Sequence, residues 1–336
     1  MSPGRIHYVT YFDRYYLSRG LALYRSLARH SPPFVLWVLC LDAETHQVLS
    51  KLGLDNIVLI TLVDLEEADS RLLQVKGSRQ PMEYYWTCGP PLLLHVFQQC
   101  PRVRAITYLD ADLFLFDDPT PLYQELGDGS ILLIEHRYSP SVNPSGRAKG
   151  TYNVGMLVFR RTPTGLACLA RWREQCLDWC FYRLERDRFA DQKYLDDWPR
   201  RFDGVIVSQH TGAGVGPWNV GNYRFRYEQE KVLVDTEPLV FYHFSRMWAL
   251  NRWLYEPSLW HWGHAMDPIL KRHVYVPYVR ELRAADELIR RVGDRRSHHD
   301  RLHPQAERAR QAKKAQLLRD MVRHGSFLAV TDRFVF

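Results

Sequence analysis

Cysteine is scarce in this chain: there are six in 336 residues, and none falls in a CxxC or other zinc-like spacing. Cys40, Cys88, Cys100, Cys168, Cys176 and Cys180 are therefore read as reduced core or boundary thiols, with Cys176 and Cys180 expected on one face of a helix. This excludes a disulfide-framed secreted domain and a structural zinc module. Long apolar runs are also missing, since no window approaches the roughly 18 to 20 residues a membrane span needs. The opening "MSPGRIHYVTYFDRYYLSRG" scatters charge and lacks the apolar core of a signal peptide, so the expected setting is cytoplasmic. No internal repeat or low-complexity linker interrupts the first 265 residues.

Excess negative charge is absent too. The formal net charge is +7, and +6 of it lies between Arg280 and Arg323, where 13 Lys and Arg stand against 7 Asp and Glu. A basic tail on a near-neutral body fits a peripheral contact at an anionic membrane surface, an assembly partner, or simply a solvated helix. A nucleic-acid partner is not expected.

What is abundant is apolar and aromatic: 46% hydrophobic and 13% aromatic residues, enough to bury a large core. "IHYVTYF", "FVLWVLCLD" and "NIVLITL" read as strands, separated by "LSRGLALYRSLARH" and "AETHQVLSKL" with helical apolar spacing. That rhythm predicts an α/β fold with a mostly parallel sheet. Pro90 and Pro91 are placed to open a helix running into the strand "VRAITYLD". "SILLIEH", "TYNVGMLVFRR", "GVIVSQH" and "PLVFYHFS" supply further strands, and a long helix is expected from about Gly165 to Arg183. Pro277 opens another helix, and a last, basic one is expected over about Gln305–Arg323.

Asp110 and Asp112, in "TYLDADLFLFDDP", follow a strand at its carboxyl end, where open α/β sheets bind ligands. Two carboxylates at i and i+2 of an extended chain share a face, close enough to hold one divalent cation or its water shell, while a solvated turn after the strand is the plain alternative. Their company points the same way: "VTYF" with Thr10 and Tyr11, "TYNVGMLVF" with Asn153 and Gly155, "FADQKYLDDW" with Asp191 and Gln192, and "FYHFSR" with His243, all expected at strand ends.

In this order the motifs resemble the GT-A nucleotide-diphospho-sugar glycosyltransferases, and within them the retaining group of glycogenin and the bacterial lipopolysaccharide galactosyltransferases. The resemblance covers about residues 5 to 250 and implies a GT-A catalytic domain over 1–265, with a helical, basic extension over 266–336. It implies that Asp110 and Asp112, with the intervening Ala111, hold Mn²⁺ or Mg²⁺ against the donor diphosphate and that His243 is the third ligand. Thr10 and Tyr11 would seat the nucleotide, Asn153 and Gly155 the donor sugar. Asp191 and Gln192 would contact the acceptor and the transferred sugar. The donor it implies is a nucleotide sugar, UDP-linked by preference; the acceptor would be a carbohydrate, a lipid-linked sugar or a protein.

The chain departs from the galactosyltransferase pattern after the histidine, reading "HFSRMW" where a Gly and a Lys-Pro-Trp are usual. Arg246 is the expected substitute cation for the donor phosphate, with Trp248 as a wall or a packed ring. Lys76 and Arg79 are further diphosphate candidates or ordinary surface charges. The glycine-rich "TGAGVGPWNVGNY" lacks a GKS or GKT ending, so it reads as a flexible wall with Trp218 as a sugar-stacking ring.

Three rival readings are weaker. A haloacid-dehalogenase-type phosphatase needs a small polar pair after the second aspartate, where Leu113 and Phe114 stand. A sugar nucleotidyltransferase needs a glycine-rich loop with lysine after the first strand, where "YFDRYYLS" stands. A membrane- or nucleic-acid-binding protein on a non-catalytic scaffold would make the basic tail the main function.

Overall fold

In a computed structural model, which describes residues 5–142, 144–251, 254–292 and 328–329, the sheet forms where β-branched and aromatic residues cluster. Seven strands make the main sheet: β1 (Ile6–Phe12), β2 (Phe34–Cys40), β3 (Ile57–Thr61), β4 (Ala105–Leu109), β6 (Ile131–Glu135), β7 (Tyr152–Arg160) and β8 (Val205–Val207). Their spatial order is β3-β2-β1-β4-β7-β6-β8. β7 pairs antiparallel with β4 and with β6, and every other pairing is parallel. Near-continuous apolar sequence in β1, β2 and β6 follows from burial on both faces. This is the α/β fold with a mostly parallel sheet expected from the sequence. Outside the main sheet, β5 (Leu113–Leu115) pairs antiparallel with β12 (Phe241–His243), and β9 (Phe225–Glu228), β10 (Lys231–Val234) and β11 (Glu237–Pro238) form a small antiparallel sheet.

Local chemistry fixes the helix ends. The Asp42 carboxylate accepts from Thr45 N (2.8 Å) to start the helix Ala43–Leu52, and Gly53, at φ 56°, ends it. The helix Pro163–Asp178 starts where the Thr162 hydroxyl accepts from Gly165 N (3.0 Å). It stops at Asp178, short of the expected Arg183, so Cys180 lies beyond it; both Cys176 and Cys180 are nonetheless buried in one core cluster.

Pro90 and Pro91 do not open a helix. Pro81 does, with Gln80 N donating to Glu83 Oε2 (2.8 Å), and the helix runs through the proline pair to Gln99. The pair removes the N–H donors for the carbonyls of Trp86 and Thr87, a loss taken inside a helix whose Pro90–Leu93 stretch is buried.

The helix Leu17–His30 follows β1 and packs on the helix Val276–Arg291. The Ser18 hydroxyl donates to Asp286 Oδ1 (2.5 Å), and Arg25 and Arg29 both reach Glu281. Val279, Leu282 and Ile289 of the second helix are buried, as their spacing anticipates. No helix among the described residues is long and apolar enough to cross a membrane. The basic segment after residue 292, with the helix expected over 305–323, lies outside the described residues.

Candidate active site

The strand order reverses between β1 and β4: the chain adds β2 and β3 on one side of β1, then crosses over and adds β4 on the other. The crevice beyond the carboxyl ends of β1 and β4 is the switch point at which such sheets take ligands. β4 delivers Asp110 and Asp112 there, and antiparallel β7 starts at that same edge with Asn153 and Gly155.

The carboxylates do not converge through an extended chain. Leu113 N donates to Asp110 O (3.1 Å), so residues 110–113 form a tight turn, with Ala111 at its corner and its methyl in the core. The apolar run behind them then does more than return the chain to the core. It forms β5, whose Leu113 pairs with His243 at the end of β12, and Phe244 N donates to Asp112 O (3.0 Å). The β5–β12 ladder therefore sets the imidazole beside the turn: His243 Nε2 lies 3.1 Å from Asp112 Oδ1 and 3.6 Å from Asp110 Oδ2. One ligand atom from each of the three residues lies within 4.8 Å of the others, a spacing and donor set that fit a divalent cation.

Burial raises the Asp110 pKa, and the Asp112 charge adds to that, against His243 and a hydrogen bond from the Tyr108 hydroxyl (2.6 Å). Burial works on Asp112 too, but His243 and Arg19 outweigh it and hold that carboxyl below its usual range. For His243, burial favours the neutral ring, yet Asp112 and Asp110 prevail and raise its pKa.

Gly155 is what lets the ring sit there. A methyl on its Cα would overlap Asn153 Oδ1 and come within 2.8 Å of His243 Nδ1. Gly155 N donates to Asn153 Oδ1 (2.5 Å), and its carbonyl accepts from Asp110 N (2.8 Å), so one glycine ties together three site segments.

Asp191 lies within electrostatic reach of Asp110, and Gln192 follows it, both in a turn before a short 3₁₀ helix (Lys193–Asp197) rather than at a strand end. Asp191 is buried, its carbonyl accepts from Trp172 Nε1 (2.9 Å), and burial with the nearby Asp110 pushes its pKa up to about 8. Gln192 Nε2 donates to Lys149 O (3.3 Å). At the end of β1, Thr10 is fully buried with its hydroxyl unpartnered, and the Tyr11 ring packs on Tyr108 (5.7 Å).

Some expected site residues have other partners. Lys76 is held by Glu66 (2.6 Å), and Arg79 stacks on Phe181 (4.0 Å) and donates to Leu177 O (3.1 Å), so neither is free for a diphosphate. The glycine-rich segment is a buried, hydrogen-bonded wall, with Asn219 bonding Gly216 N, His136 O and Gly214 O. Trp218 is buried rather than sugar-facing: its Nε1 donates to His136 O (2.9 Å) and its ring meets His243 edge-on at 5.2 Å. Arg246 is exposed, with its guanidinium at the Tyr182 hydroxyl (3.5 Å), and Trp248 is exposed rather than packed.

Three residues without a sequence signal of their own join the site. Tyr108 fixes Asp110. Arg19, only 9% exposed, donates to Met247 O (2.8 Å) in the turn after His243, stacks on Tyr16 (4.4 Å) and acts electrostatically on Asp112. Tyr16 is 41% exposed within the field of Asp112 and Asp110.

No known family model matches the chain. The "Uncharacterized protein YfnF" of Bacillus subtilis is 34% identical over 245 residues, which cover 71% of this chain and 80% of YfnF. This chain belongs to the YfnF family. A second B. subtilis protein, "Uncharacterized protein YfnD", is 29% identical over 279 residues, 82% of this YfnF-family chain and 88% of YfnD. Among solved structures it is similar to the galactosyltransferase LgtC in complex with donor and acceptor sugar analogs, at 15% identity and a TM-score of 0.49 over 86% of this chain and 97% of LgtC. It is similar also to mouse xyloside xylosyltransferase 1, at 15% identity and a TM-score of 0.46 over 72% and 98%.

Proposed function

We propose that this chain is a metal-dependent glycosyltransferase that moves a sugar from a nucleotide-diphospho-sugar, UDP-linked by preference, to a carbohydrate, lipid-linked or protein acceptor, with retention. The observation that carries this reading is the convergence of Asp110, Asp112 and His243 at the switch-point crevice, with Asp191 within electrostatic reach of Asp110.

Asp110, Asp112 and His243 would hold Mn²⁺ or Mg²⁺, the imidazole favouring Mn²⁺. When bound, the ion supplies a Lewis acid for the charge gathering on a departing diphosphate. The chain does the rest. Asp112, ionised and flanked by Arg19, keeps the site ready for a cation, and Gly155 with Trp218 holds the His243 ring in register. Thr10 and Tyr11 are assigned to the nucleotide end of the crevice, Thr10 through its backbone because its side chain is buried, and the partly exposed Tyr16 ring offers a face for a base. Asn153 and Gly155 are assigned to the donor sugar.

Asp191 with its raised pKa, and Gln192 with an amide, are poor nucleophiles, so front-face transfer is favoured, the leaving phosphate oxygen taking the acceptor's proton. The test is a thermal-shift panel of nucleoside diphosphates and nucleotide sugars with and without Mn²⁺. A metal-dependent rise in Tm with one nucleotide supports the reading; no shift with any of them removes it.

A further inference from the structure

The segment after the helix Pro163–Asp178 reads "WCFYRLERDRFADQ" and runs directly into Asp191 and Gln192. Its most exposed ring, Tyr182, is 49% exposed, with Glu83 Oε1 accepting from its backbone N (2.8 Å). Trp86 lies 6.0 Å away, and the buried Phe189 backs the ring from 5.4 Å, so Tyr182 and Trp86 present the face and Phe189 supports it.

Two cations converge on that face. Lys149 Nζ sits 5.6 Å from the Tyr182 ring and 5.2 Å from the Phe189 ring. Arg246 Nη2 donates to the Tyr182 hydroxyl (3.5 Å), presented from a backbone at φ 60°, a left-handed conformation that a side-chain-bearing residue seldom keeps without a reason. Neighbouring Arg183 and Arg188 are both paired with Glu185 (2.6 and 2.7 Å). Lys149 and Arg246 meet no carboxylate at ion-pair distance among the described residues.

The face adjoins the proposed reaction centre. Gln192 donates to the Lys149 carbonyl, a Cβ on Gly150 would contact Gln192 Cγ at 3.4 Å, and Phe189 precedes Asp191 by two residues.

We propose that Tyr182 and Trp86, backed by the buried Phe189, with Lys149 and Arg246, form an acceptor subsite for an acidic sugar, one carrying a carboxylate or a phosphate. The inference rests on the glycosyltransferase reading. A pyranose lays its C–H face on Tyr182, and its acidic group takes charge-assisted hydrogen bonds from the ammonium and the guanidinium. Arg246, expected from sequence at the donor phosphate, is thereby given to the acceptor.

The test measures binding to the full chain with Mn²⁺ and UDP present, by calorimetry, using glucuronic acid, glucose 1-phosphate and methyl glucoside. At least one acidic sugar should bind about tenfold more tightly than methyl glucoside, the size of one charge-assisted contact at a half-exposed site. The tighter of the two acids tells carboxylate from phosphate. Lys149→Met combined with Arg246→Gln should erase the preference while UDP affinity stays at the wild-type value. Tyr182→Ala should weaken all three sugars alike. Equal affinity for the three sugars, or binding of none at millimolar concentration, overturns the proposal. So does a loss of UDP affinity in the double variant, which would assign the cations to the donor. Failure of the wild type to bind UDP at all counts instead against the glycosyltransferase reading.

Discussion

Replacing Gly155 by alanine adds one methyl at the point where β7, the Asp110 turn and His243 meet. The backbone there is ordinary strand, so alanine meets no conformational bar, and the reduced freedom of the unfolded chain would by itself stabilise by about 0.4–1 kcal/mol. The methyl, however, would overlap Asn153 Oδ1 and lie 2.8 Å from His243 Nδ1 and 3.0 Å from its Cε1. Neither neighbour yields freely: Asn153 Oδ1 is bonded to Gly155 N, and the imidazole is boxed in by Trp218 and the β5–β12 ladder. Overpacking of this kind costs about 1–3 kcal/mol, leaving a modest net destabilisation and a Tm lowered by a few degrees. The larger effect falls on metal binding. Displacing a ligand's support weakens metal affinity by about 10–100-fold, which calorimetric titration of Mn²⁺ into the folded variant reads directly. A Gly155→Ala protein that loses a few degrees of Tm yet binds Mn²⁺ like wild type would remove His243 from the ligand set.

Tyr108→Phe removes the hydroxyl that donates to Asp110, so its carboxyl titrates higher still and Mn²⁺ affinity at neutral pH should fall by about tenfold with little change in Tm; unchanged affinity would contradict a supporting role for Tyr108. Metal binding should tighten as pH rises through the raised His243 pKa, because the imidazole must lose its proton to become a ligand, and should release protons measurable by calorimetry in buffers of different ionisation heat. In the metal-free chain, that raised pKa contributes stability that is full below the unfolded histidine value near 6.5 and lost above the folded one; Asp191 adds to the loss, since a carboxyl moved from 3.8 up to about 8 destabilises the fold progressively between those values. Asp191→Asn should therefore flatten the fall in Tm between pH 5 and 8 while impairing transfer, and an unaltered Tm–pH profile would count against its burial as a carboxyl. Ser18→Ala takes a buried donor from Asp286 and should cost about 1–3 kcal/mol of stability by denaturant unfolding; no cost would mean that the helix Val276–Arg291 is not integral to the body.

Much of the fold could be read from periodicity, since β1 to β3 and the helices between them are strongly patterned, and the helix Ala43–Leu52 is also capped by Asp42. Where the structure departs from periodicity, the causes are local. Pro90 and Pro91 looked like a helix start because proline is favoured there; tertiary burial carried a helix already begun at Pro81 through them. The two aspartates were legible as a pair, but their turn was not, because "LDADLF" fits an extended strand equally well. His243 could be placed in the site by motif order alone, whereas the physical device that brings it there, pairing of Leu113 with His243, is a contact between residues 130 positions apart. Trp218 shows the limit from the other side: ten tryptophans share one composition, and only packing tells a buried support for His243 from a sugar-facing ring. Arg19 gave no motif at all, because its relevance comes from a helix face turned toward Met247 and Asp112.

The central claim is met most directly by measuring nucleoside diphosphate release from a set of nucleotide sugars, with Mn²⁺ or with chelator, in the wild type and in Asp112→Asn. The account predicts release from one donor that requires the metal, and its loss in a variant whose circular dichroism and Tm stay close to wild type. Metal-dependent release that persists at the wild-type rate in Asp112→Asn would contradict it.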